Sequence, residues 1–339
     1  MSSLFEQTIK VDKEVVALAV AEHWGLQLGD IIKASQNHTF AAEQPSTGAR
    51  FAVRVTPDPT EKHLPRIRDE LLFVSFLAKQ GLDHVCGPVA AQASGAGSSS
   101  SDSNSADMAD LYRTAGGLVI SVYQWARGGP VSFAEYQWLT DGELIGAWGR
   151  FLASLHQLSR SFSLLHPDVA CRMQRWDQVH QCVLAGAPLD PQDEVAAADP
   201  QRYGVLHGDL NISNFFYDGE RGVLSVFDWD QAQQGWFLLD VAQASHTAVM
   251  LYEFGSIMEG ADVPQADPSR FIDHIVQGYE SVAGPGSVDR AALLRMIKLR
   301  KHFYEVFCRR AQKEGAPPDM APFIDFIVRS YDAPKRVFL

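Results

Sequence analysis

One short polar segment interrupts the helical patterns that dominate the second half of the chain. The segment runs from His207 to Asn214 (HGDLNISN), after the apolar run 203–206 and before a second apolar run, 223–227. Short apolar runs bounded by Asn, Asp and Gly are typical of strands. Asp218-Gly219 lies between the segment and the second run and predicts a hairpin turn. The hairpin would bring Asp228 back beside the polar segment.

Asp209, Asn214 and Asp228 form a set of oxygen-bearing side chains suited to phosphoryl transfer. That reaction needs a carboxylate to orient the acceptor hydroxyl and receive its proton, and oxygen ligands for Mg²⁺ on the triphosphate. Mg²⁺ keeps several waters, so one Asn and one Asp from the protein suffice. The alternative is a surface turn rich in Asp and Asn, residues that favour turns.

The motif His-Gly-Asp-Leu-x-x-x-Asn, followed by an apolar strand and Asp228-Trp229-Asp230, resembles the aminoglycoside phosphotransferase and choline kinase superfamily. The resemblance implies an α+β, bilobal protein-kinase-like fold. A small antiparallel-sheet N-lobe would precede a larger, mostly helical C-lobe. It also implies an enzyme that uses ATP and Mg²⁺.

The resemblance implies specific roles in the C-lobe. Asp209 would be the catalytic base, and Asn214 and Asp228 would be Mg²⁺ ligands. Asp230 matches the second carboxylate of the motif and is a weaker candidate for the metal site or for support of the loop.

Three further residues match supporting positions of the family. His207 would brace the catalytic loop, and Asp240 would anchor the loop or start a helix. His156, in a Leu-His pair on the amphipathic helix 141–158, would pack or buttress.

The first third of the chain predicts the N-lobe. A helix is expected from Asp12 to Trp24, strands at 31–34, 39–43 and 50–55, and a helix from Thr60 to Gln80. Residues 117–123 predict a further strand. The low-complexity segment 93–110 cannot bury enough apolar area to offset its ordering entropy. We therefore expect a disordered insertion over about 93–112, an N-lobe over 1–124 and a C-lobe over 125–339, joined near 125–130.

Nucleotide contacts are expected in the N-lobe. Ser35, Asn37 and Thr39 lie where the family has its phosphate-covering loop, although this loop lacks glycine, and an ordinary hairpin turn is the alternative. Arg54 stands where kinases have the lysine that holds the α- and β-phosphates. Glu70, preferred to its neighbour Asp69, is its expected partner.

The composition limits the kinds of partner that the chain is expected to bind. A net charge of −12 argues against nucleic acid. It is compatible with a cationic acceptor, for which Glu253, Asp262 and Asp273 are candidate contacts, but acidity also simply favours solubility. No apolar stretch of about 18 residues exists and the N-terminus lacks a secretory pattern, so no membrane partner and a cytoplasmic location are expected.

These features together predict a kinase that phosphorylates a hydroxyl of a small metabolite, an amino-alcohol or an amino-acid-like acceptor. Two alternatives stay open at this point. One is a serine/threonine protein kinase of the same fold, which would need a longer segment after Asp230. The other is a non-catalytic nucleotide-binding pseudokinase. The presence of Asp209, Asn214 and Asp228 argues against it, but the missing glycines and Arg54 keep it open.

Overall fold

The computed structural model describes residues 11–34, 37–82, 85–92, 108–180, 199–255, 264, 266–318, 320–333 and 337–338. The chain forms two compact units with a boundary between Ala126 and Arg127. That boundary falls within the connection expected near 125–130. We call the two parts the N-terminal unit and the C-terminal unit.

In its described part, the N-terminal unit contains a five-stranded antiparallel sheet in the order β1-β2-β3-β5-β4 and two α-helices. Its elements are α1 (Lys13–Trp24), β1 (Gln27–Ala34), β2 (His38–Glu43), β3 (Arg50–Pro57), α2 (Leu64–Lys79), β4 (Arg113–Ala115) and β5 (Leu118–Gln124).

Local sequence explains where the two helices begin. The Asp12 carboxylate accepts a hydrogen bond from the Glu14 amide at 2.9 Å and caps α1, as its sequence predicts. Helix α2 begins at Leu64 and not at the expected Thr60. The reason is Asp58, whose Oδ2 accepts hydrogen bonds from the amides of residues 63 and 64, so the chain turns before the helix starts.

The two faces of the central strand β3 have different surroundings. Val53 and Val55 are fully buried against α1, within the apolar core of the unit. Arg54 lies between them and therefore points to the opposite face. Thr39 of β2 is its direct cross-strand neighbour and shares that face. The alternation keeps Arg54 out of the apolar core.

The disordered insertion predicted over about 93–112 is contradicted at its C-terminal end. Residues 93–107 lie outside the described residues. Met108–Leu111, which the prediction also assigned to the disordered segment, form a 3-10 helix, and this end of the prediction was wrong. Leu111 is the cause, because its side chain is buried beside Ile67 and Leu71.

The C-terminal unit is mostly helical, with two small sheets in the part that the structure describes. One pairs β7 with β10, and the other has the order β6-β8-β9. The elements are β6 (Gly129–Pro130), α3 (Gln137–Thr140), α4 (Gly142–Leu165), α5 (Pro167–Arg172), α6 (Trp176–Val179), β7 (Tyr203–Leu206), β8 (Phe215–Asp218), β9 (Val223–Val226), β10 (Gln233–Trp236), α7 (Phe237–Gly255), α8 (Pro268–Ala283), α9 (Arg290–Glu314) and α10 (Ala321–Asp332).

Helices α4 and α8 pack with their backbones in close contact. A Cβ atom added to Gly149 of α4 would overlap the carbonyl oxygen of Ile275, and one added to Gly278 of α8 would overlap that of Gly146. Small residues on both helices therefore set the distance between their axes. No helix among the described residues is long and apolar enough to cross a membrane.

Candidate active site

The polar segment 207–214 forms a loop at the end of strand β7, and Asp240 holds its beginning. Asp240 lies in the first turn of α7 and is almost fully buried. Its Oδ2 accepts a hydrogen bond from the His207 amide at 3.0 Å, and its Oδ1 accepts one from the Gly208 amide at 2.9 Å. The residue expected to anchor the loop therefore binds its backbone directly.

A second pair of side chains orients Asp240 from behind. His156 Nε2 lies 3.4 Å from Asp240 Oδ2, and His156 Nδ1 lies 3.0 Å from the Tyr279 hydroxyl. Burial lowers the pKa of His156, so the ring is neutral, and burial raises the pKa of Tyr279 to about 12. The neutral ring donates from Nε2 to the carboxylate and accepts the tyrosine proton at Nδ1.

These contacts determine the charge of Asp240. Burial alone would raise its pKa, but the hydrogen bonds from His156 and from the Gly208 amide lower it below the ordinary value. Asp240 is therefore a buried, ionised acceptor. Its hydrogen bonds fix the backbone just before Asp209.

His207 braces the loop through both ring nitrogens. Nε2 lies 3.1 Å from the carbonyl oxygen of Phe227, and Nδ1 lies 3.4 Å from the Asp209 amide. A carbonyl can only accept and an amide can only donate, so the proton is on Nε2. The ring also packs on Trp229, with centroids 4.5 Å apart. His207 therefore ties the loop to the strand that leads into Asp228.

Gly208 is required by the shape of the loop. Its φ of +82° lies in the left-handed region, where other residues are strained. A Cβ atom here would also overlap the carbonyl oxygen of Gln231. Any larger residue would displace the backbone next to Asp209.

The Asp209 carboxylate is held on two sides and open on another. Oδ1 accepts a hydrogen bond from Gln243 Nε2 at 3.0 Å, and Oδ2 lies 3.4 Å from Asn214 Nδ2. The side chain is still 36 % exposed, so a small molecule can reach it. Burial raises the pKa of Asp209, although the Arg300 guanidinium acts in the opposite direction. The group is an oriented, accessible carboxylate.

The β8–β9 hairpin brings Asn214 and Asp228 to the same end of the loop. Phe215 pairs with Val226, and the Phe227 amide donates to the carbonyl oxygen of Asn214 at 3.0 Å. Asn214 Nδ2 donates to the carbonyl oxygen of Asp209 at 2.9 Å, so its amide oxygen points elsewhere. Asp228 follows directly and has a φ of +64°. Such strain in a non-glycine residue is typical of functional sites.

The donor set fits Mg²⁺. It consists of one amide oxygen and one carboxylate, both hard oxygen ligands. No cluster of three His, Cys, Asp or Glu side chains suited to a metal occurs among the described residues. A magnesium ion that is bound mainly by phosphate oxygens and water needs no such cluster. Asp230, beyond the buried Trp229, is partly buried.

In the N-terminal unit, Arg54 and Glu70 form an ion pair. Arg54 Nη1 lies 2.6 Å from Glu70 Oε1, and the two side chains are 12 % and 4 % exposed. The neighbouring Asp69 is more exposed than Glu70. The preference for Glu70 as the partner of Arg54 agrees with this geometry.

Two of the three residues expected to contact phosphate, Asn37 and Thr39, lie among the described residues. Asn37 Oδ1 accepts a hydrogen bond from the Thr56 hydroxyl at 2.8 Å, which ties the turn to β3. Thr39 is the cross-strand neighbour of Arg54. Thr39 therefore shares a sheet face with the guanidinium. Ser35 lies outside the described residues.

A family model decides the classification. The model of the APH phosphotransferase enzyme family matches residues 31–290, which include both the Arg54–Glu70 pair and the 207–214 loop. The chain belongs to the APH phosphotransferase enzyme family. The resemblance seen in the motif is thereby confirmed.

One curated relative is similar over part of the chain. Amicoumacin kinase from Bacillus subtilis (strain 168) is 27% identical over 183 residues, which cover 48% of this chain and 49% of that protein. The match therefore spans about half the length of this APH-family relative.

Solved structures of other phosphotransferases share the fold. The macrolide 2′-phosphotransferase MphH from Brachybacterium faecium superposes with a TM-score of 0.54 at 15% identity, over 95% of this chain and 98% of that one. A GDP complex of aminoglycoside 2′-phosphotransferase-IIIa gives 0.56 at 11% identity, over 95% and 99%. The Plasmodium vivax ethanolamine kinase Pv091845 gives 0.55 at 10% identity, over 96% and 90%. These similarities confirm the α+β, protein-kinase-like fold of the APH family.

Three residues of this APH-family site were missed in the sequence. Gln243 lies three residues after Asp240 on α7, so helical spacing places it on the same face, and this signal was available. Tyr279 and Arg300 lie on α8 and α9, far from the motif in sequence. Nothing local to either position indicates contact with the loop.

Proposed function

We propose that this chain is a kinase that transfers the terminal phosphoryl group of ATP to a hydroxyl of a small molecule. The observation that carries the proposal is the Asp209 carboxylate, which Gln243 and Asn214 orient while part of it stays exposed. Asp209 would accept the proton of the acceptor hydroxyl as its oxygen attacks the γ-phosphorus. The bond from that phosphorus to the bridging oxygen breaks, and ADP leaves.

Asn214 and Asp228 would hold Mg²⁺, with Asp230 as an additional candidate. When bound, the metal would neutralise charge on the phosphate oxygens. The pairing of β8 with β9 supports this assignment, because it brings both residues to the same end of the loop. In the N-terminal unit, Arg54 would bind phosphate oxygens of the nucleotide, positioned by Glu70, and Thr39, Asn37 and Ser35 are further candidates for phosphate contact.

The chain after the metal ligands favours a small acceptor over a protein. From Asp230 it enters β10 at Gln233 and α7 at Phe237. A long activation segment of the kind that shapes a protein-substrate cleft therefore has no place between these elements. The names of the family relatives also describe kinases of small molecules.

The test is ATP consumption with a panel of hydroxyl compounds, including amino-alcohols, hydroxy amino acids and antibiotics, with the product identified by mass spectrometry. Asp209→Asn keeps the size of the side chain and removes the base. We expect kcat to fall by about 10²- to 10⁴-fold while nucleotide affinity is retained.

Asp273→Asn is the matched control, because Asp273 is 60% exposed and pairs with Arg290 on the surface. It should leave kcat unchanged. Full activity of Asp209→Asn would show that Asp209 is not the base. Phosphate on added proteins but on no small molecule would replace the proposal with a protein kinase.

A further inference from the structure

Arg300 is a buried cation beside Asp209 that the proposed chemistry does not use. It lies on α9, its side chain is 11% exposed, and its Nη2 lies 3.9 Å from Asp209 Oδ1. That distance is long for an ion pair. The ring of Phe303 covers the guanidinium at 4.7 Å.

The N–H groups of Arg300 lack acceptors within the part of the chain that the structure describes. No hydrogen bond joins this side chain to another described residue, and Nε is fully buried without a partner. A guanidinium carries five donors in a rigid fork, and leaving buried donors unsatisfied is costly. Nε is out of reach of a bound molecule, but the two terminal nitrogens are not fully buried and can find an acceptor there.

The described groups around Arg300 supply no hydrogen-bond acceptor to its side chain. Burial lowers the pKa of His246 to about 3 and that of His180 to about 4, so both rings are neutral at ordinary pH. Burial also raises the pKa of Tyr304, which stays protonated. The Asp240 carboxylate also attracts the cation, but its oxygens accept hydrogen bonds from the loop amides and none from Arg300. An anionic group of a bound molecule would supply the acceptors that Arg300 lacks among the described residues.

The acidic residues considered as contacts for a cationic acceptor are placed unfavourably for that task. The carboxylate of Glu253 is fully buried and lies 2.6 Å from Lys301 Nζ. Asp273 pairs with Arg290 on the surface. Asp262 lies outside the described residues. Arg300, by contrast, is positively charged and lies 3.9 Å from the Asp209 carboxylate.

We infer that Arg300 determines acceptor specificity by binding a carboxylate of the acceptor, whose hydroxyl then reaches Asp209. The inference rests on the proposed function and names its substrate class, a short hydroxy acid or hydroxy amino acid. The planar fork of a guanidinium matches the two oxygens of a carboxylate. Because Arg300 and Asp209 are close together, one small molecule would reach Arg300 with its carboxylate and Asp209 with its hydroxyl.

The test compares three-carbon probes that differ in charge: glycerate, glycerol and serinol, which is cationic. Kinetics with Mg-ATP and equilibrium dialysis of labelled glycerate in the presence of Mg-ADP are measured on the full chain. Wild-type protein should favour glycerate over glycerol by at least about tenfold in kcat/KM or in affinity. Arg300→Met should abolish this preference, chiefly through KM, and Arg300→Lys should keep part of it.

Arg290→Met is the control, because Arg290 lies on the same helix and its side chain is 56% exposed. It should keep the preference, and thermal unfolding verifies that each variant folds. Equal use or binding of glycerate and glycerol by the wild type would overturn the inference, as would an equal loss for all probes in Arg300→Met. Turnover of glycerol or serinol alone would overturn it while the proposed kinase function stands. Dialysis showing glycerate bound by wild type but not by Arg300→Met, without phosphorylation of any hydroxyl compound, would support the anion site and count against the kinase function.

Discussion

At the scale of single residues, Asp209 combines exposure with an environment that opposes its charge. Burial raises the pKa of Asp209, and Arg300 partly offsets the effect. A base must be ionised to accept a proton. We therefore predict that kcat/KM falls with decreasing pH, with a midpoint above the ordinary pKa of an aspartate. A pH profile with a neutral acceptor checks this.

The Arg300→Met variant sharpens the pH prediction. Removal of the cation takes away the effect that lowers the pKa of Asp209, so the midpoint should move to higher pH. Asp273→Asn, on the surface, should leave the profile unchanged. A profile that is flat down to pH 4 would contradict the assignment of Asp209 as the base.

The residues of the site differ in how well the sequence predicts them. Asp209, Asn214 and Asp228 belong to one motif and one hairpin, so local patterns place them together. Arg300 reaches Asp209 through the packing of α9, a long-range contact that no local pattern encodes. Gln243 lies between these cases, since helical spacing from Asp240 predicts its direction.

At the scale of elements, the loop depends on the first turn of α7. Asp240→Asn replaces an ionised acceptor of two amides and one imidazole with a neutral amide. We predict a loss of about 3 kcal/mol in the free energy of unfolding at neutral pH. Denaturant titration measures it.

The loss should depend on pH in a defined direction. The folded-state pKa of Asp240 is lowered, so its ionised form stabilises the folded state above the unfolded value of about 3.9. That contribution disappears as the pH falls through the lower, folded-state pKa. The difference between wild type and Asp240→Asn should therefore shrink in acid. An equal difference at pH 7 and in acid would contradict this role.

The elements themselves were largely predictable, with errors at their ends. Helix α1 begins and ends where the sequence predicts, because Asp12 caps its start and Gly25 follows its last residue. Helix α2 starts late because Asp58 caps the preceding turn. The 3-10 helix at 108–111 was missed because one buried side chain, Leu111, decides it.

At the scale of the whole molecule, nucleotide and metal should stabilise the folded chain together. A ligand at about 100 times its Kd adds about 2.7 kcal/mol. We predict that ADP with Mg²⁺ raises Tm more than ADP with EDTA does. Asp228→Asn should remove the metal-dependent part, because it removes the carboxylate.

Asn is the matched replacement at position 228. It tolerates the left-handed backbone that Asp228 adopts, whereas Ala would add strain. Asp228→Asn without ligand should therefore melt like the wild type. A metal-dependent shift that persists in this variant would exclude Asp228 as a ligand. Differential scanning calorimetry provides both readings.

The close contact of α4 and α8 fixes one distance within the site. Gly149 and Gly278 let the two backbones touch, and that spacing fixes how far Tyr279 of α8 stands from His156 of α4. A methyl group at either glycine would move the helices apart. It would thereby lengthen the hydrogen bonds that connect Tyr279, through His156 and Asp240, to the loop. Two glycines that carry no chemistry therefore set a distance on which the position of the catalytic loop depends.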